Sequence, residues 1–212
     1  MPEVRDVLRP ASRAAWRAWL AAHHDRAAEV WLRVHRKTDP GPGVGYLPAV
    51  LEALCFGWID GIAKTHGGEL VQRFTPRRPG GNWTELNKER ARRLIALGQM
   101  TPAGARALPD LDPAAFGIPP TIAAALRADP AVWARFEALP PLYQRVRVSN
   151  VAELLRRDPA EAARRLDKLV QETAAGRMYG AWQDPDEAFT EGTAADGAPA
   201  DGAPADGDGG PA

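Results

Sequence analysis

The sequence predicts an α+β protein, a small antiparallel sheet of three to four strands packed by helices and followed by a helical C-terminal part. Three observations carry that prediction. Helix-spaced and strand-like alternating apolar runs are mixed through the first third of the chain. A glycine pair, Gly67-Gly68, separates two strand-like runs in the manner of a tight hairpin. From Gly98 onward the chain reads as proline-punctuated helices without strand–helix–strand alternation, which argues against a doubly wound parallel sheet.

Pro10 to His24 reads as a helix that Ser12 can cap, with Trp16, Trp19 and Leu20 at the spacing of one apolar stripe. Glu29 to Lys37 alternates, putting Val30, Leu32 and Val34 on one face and Trp31, Arg33 and His35 on the other, as in a half-buried strand. After the irregular TDPGPGVG linker, Tyr46 to Asp60 resumes helical spacing through Leu47, Val50, Leu51, Leu54, Cys55 and Trp58. Gly57, near the end of this central helix, either admits a neighbouring backbone or helps the helix stop. Two strands then flank the His66-Gly67-Gly68-Glu69 turn, and Pro76 and Pro79 end the second. The next helix starts at Asn82 or Thr84 and buries Leu86, Leu94 and Leu97. Helices are expected over 100–108, 122–139 and 142–157. A final one begins at the capping-box-like Asp158-Pro159-Ala160-Glu161 and stops at Gly176.

These elements divide the chain into an α+β core over 1–100, a helical region over 101–180 and an acidic Ala/Pro/Asp/Gly tail over 181–212. Its last thirty residues, 183–212, repeat Ala-Asp-Gly-Ala-Pro and offer no aromatic beyond Phe189 and no aliphatic side chain larger than Ala, so disorder is expected there. It also hides the charge of the rest. Residues 183–212 hold eight carboxylates and no Lys or Arg, which leaves 27 basic against 19 acidic groups in 1–182, a net charge of about +8. A basic body points to anionic partners, with the acidic tail as an internal competitor or a solubility aid. The single cysteine, Cys55, excludes an internal disulfide framework and multi-cysteine metal clusters. The N-terminus lacks a signal-peptide apolar region and no stretch of eighteen apolar residues occurs, so a cytoplasmic protein without membrane insertion is expected.

The densest chemistry lies between Lys64 and Arg93, with eight basic groups against three acidic ones. Arg73, Arg77 and Arg78 in a proline-fixed loop beside Gly80-Gly81 and a helix start form the fork-and-amide array that binds carboxylate or phosphate. Thr75, Trp83, Asn87 and Arg90 complete the candidate set, and Trp83 suits a base, a sugar or a flat organic ligand as well as it suits a core. Asp60 at the end of the central helix needs a cation nearby. Arg73 or Arg77 can serve, and in the structural alternative Arg73 pairs with Asp60 or Glu52 inside the fold. Cys55 reads as a small buried hydrophobe. His23, His24, His35 and His66 lack metal-ligand spacing, and no phosphate loop, dinucleotide fingerprint, serine elbow or zinc motif occurs, so neither metal nor cofactor is expected and the catalytic residues stay unassigned.

Leu54 to Gly61 (LCFGWIDG), Arg73 to Trp83 (RFTPRRPGGNW), Asn87, Arg90 and the Gly98 to Gly104 stretch, continuing to RRDPAEAARRLDKLVQ, resemble the YdeI/OmpD-associated, bacteriocin-protection family over most of residues 10–176. The turn at Gly80 to Asn82 and the insert at Gly117 to Pro120 depart from the pattern where loops vary. The resemblance implies a role in protection against bacteriocins or envelope stress, no established reaction or cofactor, and a fold similar to small YjbR-like domains. Three readings follow: binding of a small anionic ligand at an Arg/Trp-lined site, binding of nucleic acid, or an enzyme of unrecognised class using Glu52 and Asp60 with the arginines.

Overall fold

Ser12 opens the first helix as its spacing predicts. Its Oγ accepts from the Ala15 amide at 3.1 Å, and α1 runs Arg13–His23. Trp16 and Leu20 lie on its buried face, and the Trp16 indole donates to the Ala49 carbonyl at 3.0 Å, locking α1 to α2, Tyr46–Cys55. The computed structural model that shows this describes residues 2–36, 39 and 41–192.

Behind these helices lies a sheet of four strands in the order β1-β2-β4-β3, formed by β1 (Val7–Leu8), β2 (Val30–Arg33), β3 (Trp58–His66) and β4 (Glu69–Pro76). The architecture is α+β. Its edge is not antiparallel throughout, because β1 pairs with β2 in parallel, Val7 opposite Trp31. The chain reaches β2 only after crossing over through α1, the connection that parallel neighbours require. A two-residue strand carries too little pattern to be read from sequence.

The hairpin turns at Gly67 and Gly68, with φ of +57° and +80°, the two positive values that a tight two-residue turn demands. Val30, Leu32 and Phe74 share the face toward α1 and α2, while Trp31, Arg73 and Thr75 take the other. Trp31 is buried even so, with the Lys64 ammonium 5.5 Å from its ring.

The central helix is shorter than its apolar spacing predicts. It ends at Cys55, Gly57 turns the chain at φ +76°, and Trp58 to Asp60 belong to β3. Both readings of Gly57 apply, since a Cβ there would lie 3.1 Å from the Ala103 carbonyl oxygen. Thr84, not Asn82, caps α3 (Glu85–Ala96), and Leu97 lies past its end and is exposed.

Beyond a short helix α4 (Pro102–Arg106), the stretch expected as one helix over 122–139 divides into α5 (Pro120–Arg127) and α6 (Pro130–Glu137). Asp129 stops the first and caps the second, its carboxylate accepting from the Ala131 amide at 2.8 Å. With α7 (Pro141–Ala152) and α8 (Pro159–Ala174) they enclose a second core around Ile122, Leu126, Phe136, Val148 and Leu169. Asp158 caps α8, and Gly176 at φ +68° ends it. Buried Glu85 on α3 faces Arg145 of α7 at 3.3 Å and joins the two cores. No helix among the described residues is long and apolar enough to cross a membrane.

The acidic segment expected to be disordered from residue 181 instead docks on the body as far as the described chain extends, to Gly192. A one-turn helix, α9 (Glu187–Thr190), inserts Phe189 into the N-terminal core at 1% exposure. Phe189, discounted against many carboxylates, supplies the deep burial that composition alone does not show, and Trp182 adds an edge contact with the Tyr143 ring at 5.8 Å. Residues 193–212, the rest of that expectation, lie outside the described residues.

Candidate functional site

Three segments converge beside the C-terminus of α2. The Thr101 amide donates to the Cys55 carbonyl at 3.1 Å, and Gly104 presses so close that a Cβ would lie 2.2 Å from that same oxygen. Only glycine lets α4 sit there. On the other side, the Arg77 amide donates to the Gly57 carbonyl at 2.8 Å, which fixes the start of the β4–α3 loop. That loop turns through Arg78-Pro79-Gly80-Gly81, with the Gly81 amide on the Arg78 carbonyl at 3.0 Å and Gly80 at φ +68°, as a type II turn requires.

Between loop and helix lies an open cleft of about 440 Å³ whose wall carries Arg77, Arg78, Arg106 and His24, with Asp25 as the carboxylate and Phe56 among the rings. Neither Arg78 nor Arg106 has an ion-pair partner among the described residues, and both are exposed. The His24 Nδ1 lies 3.0 Å from the Leu20 carbonyl, which can only accept, so Nδ1 carries the proton and Nε2 is left for another partner.

Arg77 is the unusual member. Its guanidinium stacks on the Trp83 ring at 3.6 Å and Nη1 donates to the Asn82 carbonyl at 3.2 Å, while Nε and Nη2 are buried without a partner. Burial pushes its pKa down to about 10, against the opposing pull of Asp60. The group is a cation at neutral pH, held in a poorly solvated place with two idle donors. Such a group gains from an anion more than a solvated arginine does.

The other predicted residues go elsewhere. Asp60 stands opposite Phe74 on the helix-facing side of the sheet and accepts from the Tyr46 hydroxyl at 2.7 Å. Arg73 and Thr75 are on the opposite face, so strand alternation separates Arg73 from Asp60. Arg73 pairs with Glu29, its Nε 2.7 Å from the carboxylate. Asn87 and Arg90 lie one turn apart on α3, Arg90 Nη1 donating to Asn87 Oδ1 at 2.8 Å and its remaining donors gripping Asp184 at 2.7 and 3.0 Å. Of the eight candidates, Arg77 and Arg78 reach the cleft and Trp83 supports Arg77 from behind.

Glu52 is fully buried and its two oxygens accept from Arg13 and Arg17 at 2.6 Å each. Arg73 therefore pairs with neither Asp60 nor Glu52. Cys55 is inaccessible, and burial together with the Glu52 charge raises its thiol to about 11. No cluster of three or more His, Cys, Asp or Glu side chains among the described residues is placed to hold a metal ion. Sequence reasoning missed Arg106 and His24. The one signal for Arg106 was the Gly98 to Gly104 stretch, whose last glycine admits α4 to the cleft.

Residues 8–107 match the model of a domain of unknown function (DUF8412), and residues 115–176 match that of a family described as Bacteriocin-protection, YdeI or OmpD-Associated. The second match covers RRDPAEAARRLDKLVQ. The LCFGWIDG and RFTPRRP segments lie within the first, so the named family is matched over a narrower span than the resemblance implied. No curated protein and no solved structure matches the chain.

Proposed function

We propose that this chain, a member of the bacteriocin-protection, YdeI or OmpD-associated family through residues 115–176, is a binding protein whose Arg77/Arg78/Arg106 cleft receives a small anionic ligand. The observation that carries the reading is Arg77, a half-buried cation whose Nε and Nη2 are enclosed without a partner, in the wall of a cleft that two unpaired arginines share. Phosphate or carboxylate is the chemistry that guanidinium forks select. Phe56 and His24 in the same wall suit a ligand that carries a ring or an apolar part beside its charge. The description of the family matched over residues 115–176, Bacteriocin-protection, supports anionic cell-wall precursors as one class to test.

A concave cleft favours a small ligand over nucleic acid, whose phosphates are met by an extended basic surface. Here many neighbouring arginines are neutralised within the fold: Arg73 by Glu29, Arg90 by Asp184, Arg92 by Glu89 and Arg93 by Asp186. An enzyme built on Glu52 lacks support, because that carboxylate is enclosed between two arginines.

A thermal-shift screen with phosphorylated metabolites, cell-wall precursors and oligonucleotides tests the reading. The expected result is stabilisation by a small anion that R78Q/R106Q abolishes. Stabilisation by oligonucleotides alone, falling steeply with salt, would support the nucleic-acid reading instead.

A further inference from the structure

The segment Asp184 to Glu191 is held by side chains that read both its charges and its backbone. Arg90 forks onto the Asp184 carboxylate, and Arg93 Nη2 reaches Asp186 at 2.6 Å. Arg93 also lies over the Phe189 ring, 3.7 Å from its centroid, and donates to the Asp184 carbonyl at 3.2 Å. Further main-chain carbonyls of the segment are taken by side chains of the body: Ala188 by Arg13 at 2.7 Å, Phe189 by Gln99 at 2.8 Å and Glu191 by Arg13 at 3.1 Å. No strand pairing joins the segment to the sheet.

This is how a receptor holds a peptide. A charged fork on Asp184, a single exposed ion pair on Asp186, one aromatic anchor in a pocket and side-chain donors on the carbonyls together favour Asp-x-Asp-x-x-Phe. The fit leaves room, since a cavity of about 330 Å³ remains between the segment and α3, bounded by Leu86, Arg90 and Leu142. The chain leading to the segment turns at two glycines in the left-handed region, Gly176 (φ +68°) and Gly180 (φ +65°), and Arg147 holds the Ala181 carbonyl just beyond them.

We propose that the α1/α3 face around Arg90 and Arg93 is a recognition site for an acidic, phenylalanine-anchored peptide, filled here in cis by residues 184–189, and that a second copy of the chain fills it in trans by exchanging that segment. Exchange between copies reuses a closed interface and creates no new one. The short connection gives the cis segment a high effective concentration, so the single chain stays closed until its own segment is weakened. The proposal stands apart from the Arg77 cleft, with which it shares no residue.

Complementation between full-length variants tests it. D184N/D186N weakens the donor segment and leaves the receiving face intact, and R90Q/R93Q does the reverse. Each alone should sediment as a monomer, and their mixture should form a one-to-one dimer with a single intact interface. D184N/D186N/F189A mixed in the same way covers the case in which Phe189 alone keeps the first variant closed. In parallel, a labelled peptide of residues 181–192 should bind the donor-weakened proteins at least about ten-fold more tightly than it binds R90Q/R93Q. Peptide binding without a heterodimer would keep the receptor face and overturn the second copy as donor. Absence of both would overturn the proposal entirely.

Discussion

The Arg77 guanidinium lies 3.6 Å from the centroid of the Trp83 ring, with two of its donors buried and unpartnered. Arg77→Met keeps an unbranched apolar stem and removes the guanidinium, giving up the stack on Trp83 together with the buried, unsatisfied charge. Its effect on the urea unfolding free energy should therefore be under about 1 kcal/mol in either direction. A loss of several kcal/mol would show that Arg77 is a structural residue.

Two ion pairs on the same domain should behave in opposite ways. Glu52 is enclosed by Arg13 and Arg17, so Glu52→Gln leaves buried Arg13 uncompensated and should cost about 3–5 kcal/mol in urea denaturation. Arg73 and Glu29 form a partly exposed pair on the outer face of the sheet, with about a third of each side chain accessible. Arg73→Gln should cost under about 1 kcal/mol. Equal costs would contradict the burial that distinguishes the two.

Phe189 is the deepest side chain of the acidic segment, and its removal opens a cavity in the N-terminal core. Phe189→Ala should lower stability by about 3–5 kcal/mol, seen as a lower urea midpoint with a similar slope. A midpoint unchanged from the parent would return the segment to the unstructured role that its composition suggests.

Cys55 gives a pH signature. Its folded thiol titrates near 11, above its ordinary value near 9, because the site is buried and Glu52 is close. The contribution is full below pH 9, where folded and unfolded thiols are both protonated, and is lost as pH rises toward 11, since the unfolded chain deprotonates first. The stability difference between the parent and Cys55→Ala should shrink by about 2–3 kcal/mol across that window. Thiol reagents should label the native protein slowly at neutral pH and the denatured protein fast. A difference that stays flat across the window, or rapid native labelling, would contradict the burial of Cys55.

Features set by nearest neighbours were legible in the sequence. Ser12 and Asp158 announce helix starts, Gly67-Gly68 announces the hairpin, and Gly176 announces a helix stop, because each acts through contacts a few residues away. Trp58 and Asp60 fit a helical spacing although they belong to β3, because a short apolar run fits either periodicity, and Gly57 meets Ala103 only across the fold. Arg77 and Arg78 cluster in the sequence and line the same cleft. Arg106 enters the cleft only through the packing of Gly104 on Cys55, and the Glu29 partner of Arg73 depends on strand register. Neither relation exists within a local window.

An anion site in the cleft between the β4–α3 loop and α4 is what the binding reading requires. Titration calorimetry of inorganic pyrophosphate into the full chain, for the parent and for R78Q/R106Q at low and at physiological salt, addresses it most directly. The parent should bind saturably at one site, and the variant at least about ten-fold more weakly, with its unfolding midpoint preserved. A parent that releases no heat, or a variant that binds as tightly as the parent, would contradict the assignment and leave Arg78 and Arg106 as solvated surface.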